Sequence, residues 1–327
     1  MTTSTLDRVV LDPEIGRFAA ALLAAAPAPV DAAPPPIAEQ RRRAALLRRP
    51  WAAGGPVMRR RLDRVAETAV GPVAIRIHDP GRAERPPVLV YLHGGGWTLL
   101  DLDTHDRVMR DLAARSGWAV VGVDYPLAPE SPFPAAIEHS AAAIDWLRAE
   151  APSLGLDAAR LAIAGDSAGA NLALAVALKL RDEGRPAPAA LILAYGVYDC
   201  DFTRPSYRRF GGGDYPLSAE RMAFLWSNYV ADPAARGSPL ATPLNADLAG
   251  LPPTRLIIAE ADVLYDENVA LAARLRASGN AAQAVVYLGT THAFLEALEI
   301  ADVSRRAIAD AAAWLVSLSA SSRGPAD

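Results

Sequence analysis

The sequence has 327 residues, of which 51% are hydrophobic and 21% charged, with a net charge of −4 at neutral pH. This composition is sufficient for a sizeable buried core, and it lacks the excess of positive charge that nucleic acids and anionic membrane surfaces attract. No apolar run reaches the roughly 18 to 20 residues that a membrane-spanning helix needs. We therefore expect a globular protein that acts on a small, uncharged molecule, with no nucleic-acid or membrane partner.

The cysteine content and the N-terminal segment predict the cellular compartment. The chain has one cysteine, Cys200, which cannot form an internal disulfide bond. The alanine-rich run 18–25 is the only segment that resembles an export signal, but Asp7, Asp12 and Glu14 precede it where positive charges should stand. We interpret the run as part of an amphipathic helix and expect a protein of the reducing cytoplasm.

The first fifty residues differ from the rest of the chain and look like an appendage. A helical stretch at about 13–25 is followed by a Pro/Ala-rich linker, 26–36, and then by a basic helix. The arginine-rich run 41–49 of that helix has two interpretations, a patch for membranes or nucleic acid and a solvated helix face that covers the body of the protein. We favour the second, because long basic side chains commonly cover apolar surface in this way.

The remainder alternates between short apolar runs and helical segments. A strand from residue 62, a turn at Gly71 and Pro72 and a strand at 73–78 predict a β-hairpin. Buried strands are predicted at 88–92, 119–123, 161–164, 190–194, 255–259 and 284–288. This alternation predicts an α/β fold with a largely parallel sheet, whose functional loops follow the strands. The segment 199–253, with a probable helix at 218–230, breaks the rhythm and is a candidate lid insertion.

The segment 165–169, GDSAG, lies between the predicted strand 161–164 and a helix-forming run at 171–181. It has the G-x-S-x-G pattern of a nucleophile elbow, in which small neighbours let strand, turn and helix approach closely while the serine hydroxyl projects into a cleft. The alternative is an ordinary turn with a small residue at its tip. The flanking strand and helix favour the elbow. Ser167 is then the nucleophile, and the Ala168 N–H at the helix start is available to an oxyanion.

A second glycine motif, HGGGW at 93–97, directly follows the predicted strand 88–92. A run of glycines exposes backbone N–H groups, and such donors stabilise the negative oxygen of a tetrahedral acyl-transfer intermediate. Taken alone, the motif is equally consistent with a flexible turn. We expect His93 to anchor this loop and not to transfer protons, because the base comes last in the chain order of serine triads built on such an elbow.

His292 is the only one of the five histidines that follows Ser167, and it comes just after the predicted strand 284–288. A surface histidine is the alternative interpretation, but a serine hydroxyl is a weak nucleophile that needs a base. His105, in the acidic stretch 101–106, superficially offers metal ligands. We expect a solvated helix start there instead, because acids favour a helix N-terminus and no cluster of further ligands is evident.

Three carboxylates after the next-to-last predicted strand compete for the role of the acid that orients the base. Asp262 lies on the loop directly after that strand, at the end of the sheet where the nucleophile and the base are expected. Asp266 and Glu267 open the helical run 268–277, where a carboxylate gains stability from unpaired backbone N–H groups. We therefore predict that Asp262 is the acid and interpret the other two as helix caps.

Together these motifs resemble the hormone-sensitive-lipase branch of the α/β-hydrolases, the bacterial family IV esterases, and most closely the acetyl esterases. The resemblance covers residues 88–294 and includes the segment DYPLAPE at 124–130. It implies an α/β-hydrolase fold, with a mostly parallel central sheet flanked by helices and a helical cap. Ala170, Pro126 and Val263 depart from the usual glycine, arginine and proline. They remove no catalytic group, but they leave the shape of the substrate pocket open.

The resemblance assigns a role to each matched residue. It implies a catalytic triad of Ser167, Asp262 and His292, an oxyanion hole formed by the N–H groups of Gly95, Gly96 and Ala168, and a substrate site that includes Gly94, Trp97 and Asp166. It also implies that residues 1–50 form an N-terminal helical cap segment. Residues 51–327 would then form the catalytic domain, with a cap insertion at about 199–253.

The predicted activity is hydrolysis of small carboxylic esters through a serine acyl-enzyme, without a metal or a cofactor. Trp97, with Met222, Phe224, Leu225 and Trp226 of the insertion, is expected to narrow the cleft and favour short acyl chains. Ordinary helix packing is the alternative for the last four. An amidase or peptidase would share the triad, and a non-catalytic receptor would share the fold. The oligomeric state is also open, with a homodimer as one outcome.

Overall fold

The computed structural model describes residues 9–24 and 35–321, which are built around one sheet. Its strands are β1 (Arg60–Thr68), β2 (Gly71–Asp79), β3 (Pro87–Leu92), β4 (Ala119–Asp124), β5 (Asp157–Asp166), β6 (Leu191–Ala194), β7 (Thr254–Ala261) and β8 (Ala282–Thr291). The strand order is β1-β2-β4-β3-β5-β6-β7-β8. The pairs β1–β2 and β2–β4 are antiparallel, and every later pair in this order is parallel.

Helices cover both faces of the sheet. They are α1 (Pro13–Ala24), α2 (Ile37–Ala52), α3 (Asp106–Ser116), α4 (Ala135–Glu150), α5 (Ala168–Asp182), α6 (Pro205–Phe210), α7 (Ala219–Tyr229), α8 (Tyr265–Ala277) and α9 (Asp302–Ser321). Short 3₁₀ helices lie at Pro233–Gly237, Pro243–Asn245 and Phe294–Ala297. Helices α4, α5, α7 and α8 share one hydrophobic core with the sheet, and α1, α3 and α9 share the other.

The apolar character of the strands follows from this layering. In β3, Val88, Val90 and Leu92 face the first core, whereas Leu89 and Tyr91 face the second. Successive side chains of a strand point to opposite faces, so a strand covered by helices on both sides must be apolar throughout. The prediction of an α/β fold with a mostly parallel sheet is confirmed.

The predicted hairpin is present, but its turn lies earlier than expected. Thr68 pairs with Gly71 at the end of the β1–β2 ladder, so the turn consists of residues 69 and 70. Gly71 has a φ of 115°, a conformation that favours glycine. The glycine therefore begins the second strand, while the two residues before it make the turn.

The N-terminal helices pack on the body of the protein. Helix α1 buries Ile15, Phe18 and Leu22. Helix α2 directs Arg41 towards the loop after the glycine motif and pairs Arg48 with the buried Glu296 at 2.7 Å. The arginine-rich run thus contacts the protein itself. Most of the expected linker, 26–36, lies outside the described residues.

Between β6 and β7 the chain leaves the sheet and forms α6 and α7. The helix expected at 218–230 is α7, with Ser218 as its N-cap residue, whose Oγ accepts a hydrogen bond from the Arg221 N–H at 3.1 Å. Helix α7 shares the core that contains α4 and α5. In residues 9–24 and 35–321, none of the helices has both the length and the hydrophobicity needed to span a bilayer.

Candidate active site

Ser167 occupies the turn between β5 and α5. Its φ of 54° and ψ of −122° are rare for a residue with a side chain, and such strain costs about 1–3 kcal/mol. The flanking glycines permit the turn. A Cβ at Gly165 would lie 2.3 Å from the carbonyl oxygen of Gly169, and a Cβ at Gly169 would lie 1.9 Å from that of Leu92. The small residues of the motif thus allow β5, the turn and α5 to pack against β3.

Three side chains from separate loops form one hydrogen-bonded chain with this serine at its end. His292 Nε2 lies 2.9 Å from Ser167 Oγ, and His292 Nδ1 lies 2.7 Å from Asp262 Oδ2. The buried Asp262 carboxylate is also fixed by the Leu264 N–H, which donates to Oδ1 at 3.0 Å. The Tyr195 ring meets the imidazole edge to face at 5.1 Å. This arrangement is suited to moving the serine proton to the imidazole and stabilising the resulting imidazolium.

The two other candidate acids are not the helix caps that we expected. Both lie in the first turn of α8, but Asp266 accepts a hydrogen bond from the Ser206 N–H at 2.8 Å, and Glu267 accepts one from the Tyr198 N–H at 3.0 Å. Glu267 is completely buried, and this burial raises its pKa well above the ordinary range. These carboxyl groups therefore join α8 to the segment that follows β6.

The glycine loop after β3 has a backbone conformation that favours glycine. Gly95 has a φ of 118° and Gly96 a φ of 60°, and a Cβ at Gly95 would lie 2.1 Å from the Leu99 carbonyl oxygen. In the part of the chain that the structure describes, the N–H groups of Gly95 and Gly96 have no acceptor. The Ala168 N–H lies in the first turn of α5, where backbone donors lack partners within the helix. These are donors available to a developing negative charge.

Asp166 contacts the glycine loop at Gly94. Its Oδ1 accepts hydrogen bonds from the Gly94 N–H at 3.0 Å and from the Tyr91 hydroxyl at 2.7 Å, and His105 Nε2 lies 3.4 Å away. The side chain is buried, and a Cβ at Gly94 would lie 2.5 Å from its Oδ2. Burial alone would raise the pKa of Asp166, but His105 and the Tyr91 hydrogen bond lower it. These contacts let Asp166 support the loop at Gly94, and the expected contact of both residues with substrate stays a prediction.

Helix α3 begins directly after His105, as expected, but the expectation that this helix start is solvated is wrong. Its ring is buried, and although burial lowers the pKa of a histidine, the adjacent Asp166 carboxylate outweighs this effect and raises it. His105 Nε2 and Asp166 Oδ1 lie 3.4 Å apart, so the buried carboxylate favours the protonated imidazole. His93, in contrast, is neutral, because burial together with His105 lowers its pKa to about 4. Its ring stacks on Tyr125 at 4.4 Å, and its Nδ1 lies 2.7 Å from the Gly94 carbonyl oxygen.

Helix α7 packs directly on the glycine loop. Trp97 is fully buried and stacks almost parallel on Tyr229, with the ring centres 4.2 Å apart, and Trp226 lies 4.9 Å from it. Leu225 lies over the loop itself, since a Cβ at Gly96 would be 2.4 Å from Leu225 Cδ1. Ser167 itself is only 8% exposed.

Tyr91, Tyr125 and Tyr195 contact this site, and the sequence analysis did not identify them. The signal for Tyr91 was available, because a buried tyrosine in an apolar strand needs a partner for its hydroxyl group. The contacts of Tyr125 and Tyr195 depend on how loops from different strands meet.

Among residues 9–24 and 35–321, no three His, Cys, Asp or Glu side chains are grouped in a way that would hold a metal ion.

Comparison with known proteins identifies the family. Residues 89–296 match the model of a family with the α/β-hydrolase fold. An ethyl acetate hydrolase of Pseudomonas putida is 39% identical over 227 residues, which cover 66% of this chain and 71% of that protein.

Comparison with solved structures indicates the same family. A hyperthermophilic esterase from the archaeon Pyrobaculum calidifontis superimposes with a TM-score of 0.88 at 35% identity, over 95% of this chain and 99% of the other. A thermostable carboxylesterase cloned from a metagenomic library gives a TM-score of 0.83 at 35% identity, over 86% of this chain and 97% of the other. The chain belongs to the α/β-hydrolase family, in the esterase branch that its motifs predicted.

Proposed function

We propose that the chain hydrolyses carboxylic esters with Ser167 as nucleophile, His292 as general base and acid, and Asp262 as the residue that orients the imidazole. The observation that carries this proposal is the continuous chain of hydrogen bonds from Asp262 through His292 to Ser167. The esterases among the relatives support the same reaction. The two alternatives, an amidase and a receptor, have no comparable support.

In the proposed mechanism, Ser167 Oγ attacks the ester carbonyl carbon while its proton moves to His292 Nε2. The carbonyl oxygen becomes negative and accepts hydrogen bonds from the N–H groups of Gly95, Gly96 and Ala168. Each such donor contributes roughly 3 kcal/mol to stabilisation of the transition state. His292 then donates the proton to the leaving alcohol, and an acyl-enzyme remains. Water, deprotonated by the same imidazole, releases the acid and regenerates the serine.

The substrate is proposed to be a small ester with a short acyl chain. Support comes from the contact between Leu225 and Gly96 and from the stack of Trp97 on Tyr229, which leave little room beside the loop. On this basis we propose that residues 1–50 and the insertion 199–253 act as a cap over the catalytic domain. Helix α7 is the part of that cap nearest the reacting carbonyl group.

The test is hydrolysis of a chromogenic acetate ester by the purified protein, measured beside the matched acetamide. We expect turnover of the ester and turnover of the amide at least two orders of magnitude slower, because the amine must be protonated before it leaves. Comparable rates on the two substrates would favour the amidase. Binding of both without turnover would favour the receptor.

The assembly and the compartment are further proposals. Strand β8 lies at the end of the sheet with Leu288 70% exposed. The Asp12 N–H donates to the Gly289 carbonyl oxygen at 2.9 Å on this edge, and the exposed remainder of an edge strand can pair with a second copy. We propose a homodimer through this edge, and light scattering of wild type and Leu288→Lys tests it. A monomeric mass for the wild type contradicts the dimer. A cytoplasmic location is proposed from the single free cysteine, Cys200, and fractionation of cells tests it.

A further inference from the structure

Arg221 lies on the same face of α7 as Leu225. The two positions are four residues apart, so their side chains are one helical turn, about 5.4 Å, from each other along the axis. Leu225 packs against Gly96, whose N–H we assign to the oxyanion hole. Arg221 is therefore one helical turn away from the contact that covers the reacting carbonyl group.

The guanidinium of Arg221 lies between α7 and α2. Its Nη1 donates to Gln40 Oε1 at 3.2 Å, and its central carbon lies 4.7 Å from the centre of the Phe224 ring. No carboxylate in the described ranges forms an ion pair with it, and burial lowers its pKa with no acidic group opposing the effect. A half-buried arginine held in this way keeps its charge and several N–H donors for a ligand.

A second arginine nearby, on α2, already has an acidic partner. Arg41 pairs with Glu130 and donates to the carbonyl oxygens of Thr98 and Ala128, so its charge and donors are already used. Gln40 holds Arg221 by one hydrogen bond only, and its own Nε2 is occupied by the Pro35 carbonyl oxygen at 2.9 Å. Of these two arginines, only Arg221 has a charge and N–H donors that are still available to a ligand.

We propose that Arg221 binds a carboxylate of the substrate, so that the preferred esters carry a carboxylate a few methylene groups from the scissile carbonyl. This inference rests on the proposed function, and it replaces the uncharged substrate expected from composition. The net charge of −4 repels anions at long range, so any preference for them must come from a local cation. Charge-assisted hydrogen bonds of this kind are expected to raise kcat/KM roughly ten- to hundredfold.

The experiment compares anionic and neutral members of two ester pairs at pH 8. Monoethyl succinate and diethyl succinate place the carboxylate on the acyl side, and 3-acetoxypropanoate and its methyl ester place it on the alcohol side. The ratio of kcat/KM for the anionic over the neutral ester is measured in wild type, Arg221→Gln and Arg221→Lys. Arg306→Gln is the matched control, because Arg306 is exposed on α9, which packs on the opposite side of the sheet.

We expect the ratio for one pair to fall roughly ten- to hundredfold in Arg221→Gln, to fall less in Arg221→Lys and to stay at the wild-type value in Arg306→Gln. The same ratio in wild type and Arg221→Gln for both pairs would overturn the inference. If wild type hydrolyses the chromogenic acetate ester but none of these four esters, the inference fails and the proposed function stands. If wild type hydrolyses neither the acetate ester nor these four, the proposed function itself fails.

A second measurement needs no variant and so does not depend on whether Arg221→Gln folds. Raising the salt concentration to about 0.5 M screens a partly exposed ion pair. For wild type we therefore expect the ratio of anionic to neutral kcat/KM to fall. Repulsion by the net negative charge predicts the opposite, since screening it would raise the ratio. A rising or constant ratio would contradict a carboxylate site at Arg221.

Discussion

Leu225 lies so close to Gly96 that a Cβ at position 96 would be 2.4 Å from Leu225 Cδ1. A cap helix therefore touches the backbone that we assign to the oxyanion hole. Through this contact the packing of α7 limits the length of acyl chain that fits, because the side chain at position 225 limits the space beside the carbonyl group.

The first prediction concerns acyl length. Wild type should have its highest kcat/KM on acetate or propionate esters, and Leu225→Ala should move the maximum to longer chains by removing three carbons, one methine and two methyl groups, from the pocket. A series of 4-nitrophenyl esters measures this. Val269→Ala, an exposed site on α8, is the control that should leave the profile unchanged. An optimum at long acyl chains in wild type would contradict the proposed cap.

The second prediction separates the candidate acids. Asp262→Asn should lower kcat by several orders of magnitude, by analogy with the roughly 10⁴-fold loss in a serine protease triad, because His292 is no longer held in the productive tautomer. Asp266→Asn should lower the free energy of unfolding and change kcat little, since Asp266 binds the Ser206 N–H. A collapse of kcat in Asp266→Asn with normal turnover in Asp262→Asn would reverse the assignment.

The third prediction distinguishes the two roles considered for Asp166. As a support of the glycine loop, Asp166→Asn should lower kcat about tenfold and leave KM nearly unchanged, because a loosened oxyanion hole binds the transition state less well than the substrate. Tyr91→Phe, which removes one of the hydrogen bonds to Asp166, should act in the same direction but less strongly. A raised KM with normal kcat would instead support the original expectation that Asp166 contacts substrate.

The fourth prediction concerns pH and the buried carboxyl group of Glu267. Because its pKa is raised in the folded protein, the group stays protonated there while it ionises in the unfolded chain, so stability is lost as pH rises above the ordinary value of 4.5. Glu267→Gln removes this loss. The variant should gain stability relative to wild type as pH rises, by at most about 1.4 kcal/mol per pH unit.

Denaturant unfolding between pH 4 and pH 8 measures this difference. Glu220→Gln, at an exposed position of α7, is the matched control and should follow the wild-type curve. A constant difference between Glu267→Gln and wild type across this range would show that Glu267 is not held in its protonated form.

The parts of the site that follow a strand were predictable from the sequence. Ser167, Asp262 and His292 each come directly after an apolar run, and parallel strands bring their carboxyl ends to one edge of the sheet. The glycine patterns indicated the nucleophile elbow and the glycine loop. Only glycine fits at positions where a Cβ would clash with backbone atoms, as at Gly169. These signals are local patterns in the sequence, so they could be recognised without the structure.

The errors concern polar side chains whose partners are distant in the chain. His105 was expected to be solvated because acids surround it in sequence, yet it is buried against Asp166, 61 positions later. Glu267 was expected at an exposed helix start, but its partner is the Tyr198 N–H, 69 positions earlier. Burial of a polar group depends on which segments pack together, and a local pattern does not contain that information.

Whether Ser167 is the nucleophile is tested most directly by covalent labelling with a serine-directed organophosphate, followed by intact-mass and peptide analysis. If Ser167 is the nucleophile, we expect one adduct per chain on Ser167, loss of ester hydrolysis in proportion to labelling, and neither labelling nor turnover in a folded Ser167→Ala variant. Ester hydrolysis that persists in Ser167→Ala, or in fully labelled wild type, would contradict Ser167 as the nucleophile.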